Sequence, residues 1–274
     1  MSIFESILYG LVSGFTEFLP VSSQGHQALM FSLFGLNARE PLRDLFVHIA
    51  VLVALFVTCK PLIIRLRREQ ALLTRRRRKK NAERKGQYIL RLVKAASFPL
   101  VLGSLFYLVT RKYEFQLQYL VWFFIINGVV LMIPEYIRHG NKDARHMTGL
   151  DSILLGAFGA CSVLPGISRI GMMSGYALAR GADRQHIINW ALVLSLPAIV
   201  LFIGLDIYNL FSIGIGIVGI LGFLSCLISG VMAFIGAYFG VRTVRFLAVQ
   251  TGFVGCAYYS WGAALFAFVL YLIA

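Results

Sequence analysis

The sequence predicts an all-α polytopic membrane protein, with six transmembrane helices plus two re-entrant helical hairpins arranged as an inverted-topology repeat. Its 274 residues are 58% hydrophobic and only 14% charged, whereas soluble domains carry about 25% charged residues. Six apolar stretches reach the roughly 20 residues that a helix needs to cross the bilayer. Two further apolar stretches contain helix-breaking and ionisable residues. A soluble domain is excluded, because a single core cannot hide this much apolar surface.

The predicted elements divide one integral membrane domain, residues 1–274, into two similar halves. The first half, 1–137, consists of a hairpin at about 5–35 and spans at 44–64, 88–110 and 117–137; the second half, 150–274, consists of a hairpin at about 150–180 and spans at 187–207, 213–240 and 248–273. Both hairpins contain proline and glycine in mid-segment. Broken helices are tolerated at membrane depth only where protein or a wet cavity surrounds them. Both segments are therefore predicted to be re-entrant.

A basic segment at 65–87 sets the predicted orientation. Residues 65 to 85 include eleven Lys or Arg and two Glu, which is +9 of the net charge of +14. Because basic loops stay in the cytoplasm, this loop is predicted to be cytoplasmic, and alternation of the spans leaves the N- and C-termini extracytoplasmic. The two hairpins then enter the membrane from opposite sides. A basic run between two apolar spans also favours contact with anionic lipid. We predict no nucleic-acid partner for it.

The two hairpins are similar in sequence. Residues 14–22, GFTEFLPVS, align with residues 159–168, GACSVLPGIS, with one extra residue before the second serine. Inverted repeats with paired broken helices place their site where the two breaks meet, near the bilayer midplane. The polar side chains predicted to meet there are Glu17, Ser22, Ser23, His26, Ser168 and Arg169.

These residue types favour phosphate chemistry. A guanidinium and the backbone amides of half-helix N-termini bind phosphate oxygens. The carboxylate of Glu17 would repel an anion unless a cation lay between them, which predicts a divalent cation at Glu17, Mg²⁺ or Ca²⁺. His26 can act as nucleophile or general acid/base, and Ser22 or Ser23 as nucleophile or phosphate hydrogen-bonder. These residue types do not identify which group is the nucleophile. The predicted phosphate-binding residues are Ser22, Gly166, Ser168 and Arg169.

Each of these residues also has a structural interpretation. Glu17 and Arg169 can form a buried ion pair that holds the hairpins together. The serines can cap backbone groups at the breaks, and His26 can be a hydrogen-bonded core histidine. His48, in the first span, is predicted to be structural or to support the site indirectly. Asp206, near the end of a span, is predicted to face water.

At these residues the chain resembles the bacterial undecaprenyl-diphosphate phosphatase family, also called the bacitracin-resistance family. Three segments carry the resemblance: 14–26, GFTEFLPVSSQGH; 164–169, LPGISR; and 189–197, NWALVLSLP. The resemblance implies six spans with two re-entrant hairpins. It further implies a metal-dependent phosphatase of the bacterial inner membrane that converts the C55 polyprenyl diphosphate carrier to its monophosphate on the extracytoplasmic side, for cell-wall synthesis. It leaves a homodimer open.

Three positions depart from the family pattern. Ser13 stands one helical turn before the motif glutamate, where the family has an acidic or amide residue, and Ile170 and Met173 replace a serine and a threonine. These departures favour a protein that binds or flips polyprenyl phosphate without hydrolysing it. The retained acid, imidazole and guanidinium favour a phosphatase, which ranks first. In that hypothesis the catalytic residues are Glu17, Ser23, His26 and Arg169, with Glu17 holding the cation.

Overall fold

The structure is a computed structural model that describes residues 1–36, 39–76, 85–110, 113, 116–137, 147–213 and 219–273. These residues form helices and connecting turns, with no β-strand among them. In chain order the α-helices are α1 Ile3–Glu17, α2 Ser23–Leu33, α3 Pro41–Arg76, α4 Lys85–Ser104, α5 Tyr107–Thr110, α6 Leu117–Met132, α7 Gly149–Ala160, α8 Arg169–Ala179, α9 Arg184–Ile213, α10 Ile220–Gln250 and α11 Val254–Ile273.

Six segments of the described chain are helical, long and apolar enough to cross a membrane, which confirms the predicted number of spans. They are Pro41–Ile64, Leu92–Thr110, Leu117–Tyr136, Arg184–Ser212, Ile220–Gln250 and Val254–Ile273. Their outward faces carry large apolar side chains, such as Phe98, Trp122 and Phe211, which are 71%, 65% and 82% exposed. A surface of this kind is stable against lipid and unstable against water.

Several predicted boundaries differ from the observed helices. The last span begins at Val254 and not at 248, and two further differences involve basic residues. The segment at 65–87, predicted as a loop, is helical at 65–76 as the end of α3 and at 85–87 as the start of α4, while 77–84 lie outside the described residues. The span predicted to end at 240 continues to Gln250, so Arg242 and Arg245 lie within α10. A helix can continue beyond the hydrocarbon where its basic side chains reach water. Hydropathy marks only the part of the helix that crosses the membrane.

The two predicted hairpins are present as pairs of short helices. α1 and α2 have 15 and 11 residues, and α7 and α8 have 12 and 11. At 1.5 Å per residue even α1 covers only about 22 Å, less than the roughly 30 Å of a hydrocarbon core. The breaks between them contain two residues in the left-handed region, Ser22 with φ of 70° and Gly166 with φ of 104°. This geometry is compatible with re-entrant hairpins.

Each hairpin packs its first helix on a span of the other half through small residues. Gly10 and Gly14 of α1 contact the backbone of Ser229 and Ala233 in α10, and Gly156 of α7 contacts the backbone of Ala96 in α4. Small residues let helix backbones approach closely in membranes. The second helix of each hairpin, α2 or α8, is largely buried.

The first spans of the two halves, α3 and α9, run in opposite directions. His48 near the start of α3 bonds Asp206 near the end of α9. Thr58, in the second half of the membrane-crossing part of α3, Pro41–Ile64, shares a cavity with Gln185 at the start of α9. Equivalent helices with opposite directions are what an inverted repeat requires. The packing is compatible with the predicted relation between the halves, which stays a prediction.

A buried arginine ties the first hairpin to its surroundings. Arg43 is 2% exposed, and its guanidinium donates to the hydroxyls of Ser6, Ser225 and Ser229 at 2.8–3.1 Å. Its Nη2 also lies 2.7 Å from a carboxylate oxygen of Glu40. These bonds join α1, α3 and α10 at one point.

Arg43→Met is expected to lower the free energy of unfolding by about 3 kcal/mol, because it removes one partner of a buried charged network. The measurement is thermal unfolding of the purified protein in detergent. Arg242→Met is the matched control on α10, because Arg242 is exposed and stacks on Tyr238 at 4.7 Å. Its expected effect is within about 0.5 kcal/mol. Equal melting temperatures for the two variants would contradict the structural role of Arg43.

Candidate active site where the two hairpins meet

A pocket lies where the two hairpin breaks face the first spans, α3 and α9. Its cavity volume is about 40 Å³. Its lining contains three carboxylates, two guanidinium groups and one imidazole, an unusual charge density for a membrane interior. The pocket is lined by Glu17, Ser23, Gln24, Gln27, Arg39, Asp44, His48, Tyr107, Ser162, Ile167, Ser168, Arg169, Phe202 and Asp206.

Two serines fix the breaks by reciprocal hydrogen bonds. Ser22 caps α2 by accepting from the Gly25 amide at 3.2 Å, and its hydroxyl also accepts from the Gly166 amide of the other hairpin at 3.0 Å. Ser168 caps α8 in the same way and donates to the Leu19 carbonyl of the first hairpin at 3.0 Å. Each serine therefore caps the helix that follows its own break and forms a hydrogen bond with the backbone of the other break.

An asparagine from a spanning helix joins both breaks. The Asn127 side chain on α6 is fully buried. Its amide nitrogen donates to the Pro20 carbonyl at 2.9 Å and to the Ser260 hydroxyl at 3.0 Å, and its oxygen accepts from the Ser168 amide at 2.9 Å. The position of α8, and of Arg169 as its first residue, depends on this side chain.

The central ion pair of the pocket joins Glu17, the last residue of α1, to Arg169. The Arg169 side chain is 6% exposed, and one Nη atom bonds the carboxylate. Its Nε and its other Nη atom are buried with no hydrogen-bond partner among the described residues. Unpaired buried donors are costly, so these two N–H groups are suited to an anion that enters the pocket.

A second pair, His48 and Asp206, lines the same pocket. His48 Nδ1 and a carboxylate oxygen of Asp206 are 2.6 Å apart, and the imidazole stacks on Phe202. Next to them, Asp44 accepts hydrogen bonds from the Tyr9 hydroxyl at 2.9 Å and from Arg39 at 3.3 Å. Each of these carboxylates is therefore hydrogen-bonded.

The family model described as bacitracin resistance protein BacA matches residues 6–266. The chain belongs to the BacA family. Among its relatives, a protein named undecaprenyl-diphosphatase from Treponema denticola is 30% identical over 96% of this chain and 100% of its own length. Proteins of the same name from Carboxydothermus hydrogenoformans and Methanobrevibacter smithii are each 29% identical, over 95% and 98% of this chain and over 94% and 98% of their own lengths.

In this BacA-family chain, four of the predicted site residues line the pocket: Glu17, Ser23, Ser168 and Arg169. The Ser23 hydroxyl donates to the Ser13 carbonyl at 3.1 Å. Ser22 and Gly166 are not among the residues that line the pocket, and the Gly166 amide donates a hydrogen bond to the Ser22 hydroxyl. Their predicted contact with phosphate has no support from this geometry and stays a prediction.

His26 lies on another side of α2. Its Nδ1 is 2.6 Å from the Ser22 carbonyl oxygen and its Nε2 is 2.8 Å from the Tyr259 hydroxyl, against which the ring stacks. Ser23, Gln24 and Gln27 face the pocket from one side of the helix, and at 100° per residue His26 lies roughly 100° away from the middle of that side. Its predicted catalytic role is untested, and the geometry favours a structural one.

The three positions that depart from the family pattern do not line the pocket. Ile170 and Met173 are fully buried, and Met173 packs near Gly159. Ser13 is buried, with its hydroxyl unpaired among the described residues and its carbonyl bonded to Ser23. Ser13, Ile170 and Met173 themselves therefore contribute nothing to the lining of the pocket.

The structure adds residues that the sequence did not single out, above all Asp206, Asp44 and Asn127. The prediction that Asp206 faces water is wrong, since it is 8% exposed and bonded to His48. The available signal was chemical, because an acid or amide inside an apolar span is costly unless it has a partner. For Asp206 this signal was missed, because a residue near the end of a span is normally expected to reach water.

Proposed function

We propose that this chain hydrolyses undecaprenyl diphosphate to the monophosphate and inorganic phosphate, as a step of lipid-carrier recycling for cell-wall synthesis. The observation that carries the proposal is Arg169, a buried guanidinium in a pocket with two donor nitrogens that no described residue occupies. The names of the relatives favour hydrolysis over transport of the carrier.

The proposed roles follow from the placement of each side chain. Arg169 and the N-terminal end of α8, which follows Ser168, bind the terminal phosphate. They stabilise its charge as the phosphorus–oxygen bond breaks. Ser23, which lines the pocket, is the candidate to attack or to position water. Glu17 holds Arg169 in place and supplies an oxygen ligand for a cation.

A divalent cation fits the donor set of the pocket. Glu17 and Gln24 both line it, and the Gln24 side-chain oxygen is buried with no hydrogen-bond partner among the described residues. Mg²⁺ is commonly held by one or two carboxylates together with substrate phosphates, so no cluster of three acidic or histidine side chains is needed. When bound, the cation would neutralise diphosphate charge and polarise a phosphoryl oxygen.

The charge of the pocket supports this cofactor. Its three carboxylates, Glu17, Asp44 and Asp206, outnumber its two arginines, Arg39 and Arg169. A diphosphate adds further negative charge to a site that is screened from water, and such charge needs compensation. Mg²⁺ or Ca²⁺ supplies it with oxygen ligands alone.

The proposed location is the extracytoplasmic face of the bacterial inner membrane. The pocket uses the first part of α3 and the last part of α9, whereas exposed basic residues lie at the other ends of the spans, at Arg67, Arg68 and Arg242. Basic residues stay on the cytoplasmic side and attract anionic lipid there. The pocket then opens on the opposite side, with both termini extracytoplasmic.

The test is release of phosphate from undecaprenyl diphosphate by the purified protein in detergent. We expect release by the wild type, background levels for Glu17→Ala and Arg169→Ala, and more than about tenfold loss on removal of divalent cations with EDTA. Added Mg²⁺ or Ca²⁺ is expected to restore the activity. Wild-type release no higher than that of the two variants would rule out the phosphatase function, and activity that EDTA leaves unchanged would rule out the cation.

A further inference from the structure

We infer that His48 and Asp206 form the proton-accepting pair of the reaction, a role that rests on the proposed phosphatase function. His48 Nε2 takes the proton of the attacking oxygen, and Asp206 holds the imidazole through Nδ1. Neither residue belongs to the hairpin motifs. They come instead from the first spans of the two halves, α3 and α9.

The geometry is that of an oriented base. His48 Nδ1 lies 2.6 Å from Asp206 Oδ2, so this nitrogen carries the hydrogen and leaves Nε2 as the acceptor. Nε2 makes no hydrogen bond to any residue that the structure describes, although the side chain lines the pocket. Phe202, stacked on the ring with a centroid distance of 5.7 Å, fixes its plane.

The surroundings explain why the pair belongs to the reaction and does not only hold two helices together. A histidine–carboxylate pair is costly inside a membrane and is found mainly in functional cavities. Here it faces the same pocket as Arg169, Glu17 and Ser23, whereas the neighbouring Asp44 already accepts hydrogen bonds from Tyr9 and Arg39. Among the imidazoles of the described chain, His48 is the one that lines this pocket, while His26 has both ring nitrogens engaged.

The chemical step balances without another reactant. The attacking oxygen, from water or the Ser23 hydroxyl, forms a bond to the terminal phosphorus while its proton moves to His48 Nε2. The bond from that phosphorus to the bridging oxygen breaks, and its electron pair leaves with the polyprenyl monophosphate. If Ser23 attacks, His48 first releases its proton to solvent. Water then attacks the phosphorus of the phosphoserine and gives its proton to His48 Nε2, the bond from phosphorus to the Ser23 oxygen breaks, and that oxygen takes up a proton to restore the hydroxyl.

The charged and titratable groups that share the pocket with His48 bear on its protonation. They come from its own helix, from α1, α5, α8 and α9, and from the turn before α3: Asp44, Glu17, Tyr107, Arg169, Asp206 and Arg39. The base acts only when its imidazole is neutral. Protonation of His48 therefore predicts a fall of kcat/KM on the acidic side of the pH profile.

His48→Asn and Asp206→Asn are the test variants, because the first removes Nε2 and the second leaves the shape but not the charge. Removal of a general base lowers kcat by about 10²- to 10⁴-fold, and we expect this loss with KM changed by less than about threefold. Binding of a methylene-bridged diphosphonate analogue of the lipid is expected to be retained. His186→Asn is the control, since His186 is exposed at the start of α9 and outside the pocket.

Two further readouts separate catalysis from support of the fold. The residual activity of His48→Asn should lose the acidic fall of kcat/KM, while Asp206→Asn, which keeps the imidazole, should show that fall at a different pH. Added imidazole should restore part of the activity of His48→Ala. Normal activity of folded His48→Asn, or residual activity with an unchanged pH profile and no rescue, would overturn this inference and leave the phosphatase function intact. A wild type that releases no phosphate would overturn both this inference and the proposed phosphatase function. Where one variant fails to fold, the same measurements on the other variant decide.

Discussion

Arg169→Lys is expected to lower kcat/KM for phosphate release by about 10³-fold. A lysine ammonium keeps the positive charge and can pair with Glu17, but it cannot also present two further N–H groups in a fixed plane. In the wild type the Arg169 Nε and one Nη are the donors that no described residue uses. Loss of one donor to a developing oxyanion costs about 10²- to 10³-fold in rate. Steady-state phosphate release in detergent measures the effect.

A double variant separates catalysis by Arg169 from its role in the ion pair. Arg169→Ala alone leaves the Glu17 carboxylate without its partner, so we expect a lower melting temperature. Combining it with Glu17→Gln removes the unpaired charge and is expected to restore the melting temperature without restoring activity. Recovery of activity in the double variant would show that Arg169 only neutralises Glu17.

The hairpins and this ion pair could be predicted from sequence because their signals are local. Proline, glycine and serine within apolar segments mark the breaks, and the repeat of the LP motif pairs the two breaks with each other. Once the breaks are paired, the charge of Glu17 requires a partner, and Arg169 supplies it. The number of spans was predictable for the same reason, since it depends on runs of apolar residues.

The pair formed by His48 and Asp206 was not predictable in the same way. His48 and Asp206 are 158 residues apart in the chain, and they meet only because α3 and α9 pack in opposite directions. For α2 the sequence offers polar residues on several sides, Ser23, Gln24, His26 and Gln27. Which side faces the pocket depends on the rotation of the helix, and that rotation is decided by packing against α6 and α11.

The second large effect is expected for a residue that touches no phosphate. Asn127→Leu should lower the free energy of unfolding by about 2–3 kcal/mol and the activity by about 10²-fold. It leaves the buried Pro20 carbonyl and Ser168 amide without their side-chain partner, and orphaned buried groups cost about 1–3 kcal/mol each. Because Ser168 begins α8, a shift of about 1 Å there would displace Arg169, and such displacements cost about 10²-fold in rate. Thermal unfolding and phosphate release are the two measurements.

Ser260→Ala is the matched control for the asparagine. It removes the third bond of the Asn127 amide while leaving both bonds to the hairpin breaks. The expected cost is about 1 kcal/mol in stability, with activity within a few-fold of the wild type. If Ser260→Ala lowered activity as much as Asn127→Leu, packing between α6 and α11, and not the joining of the two breaks, would be what positions Arg169.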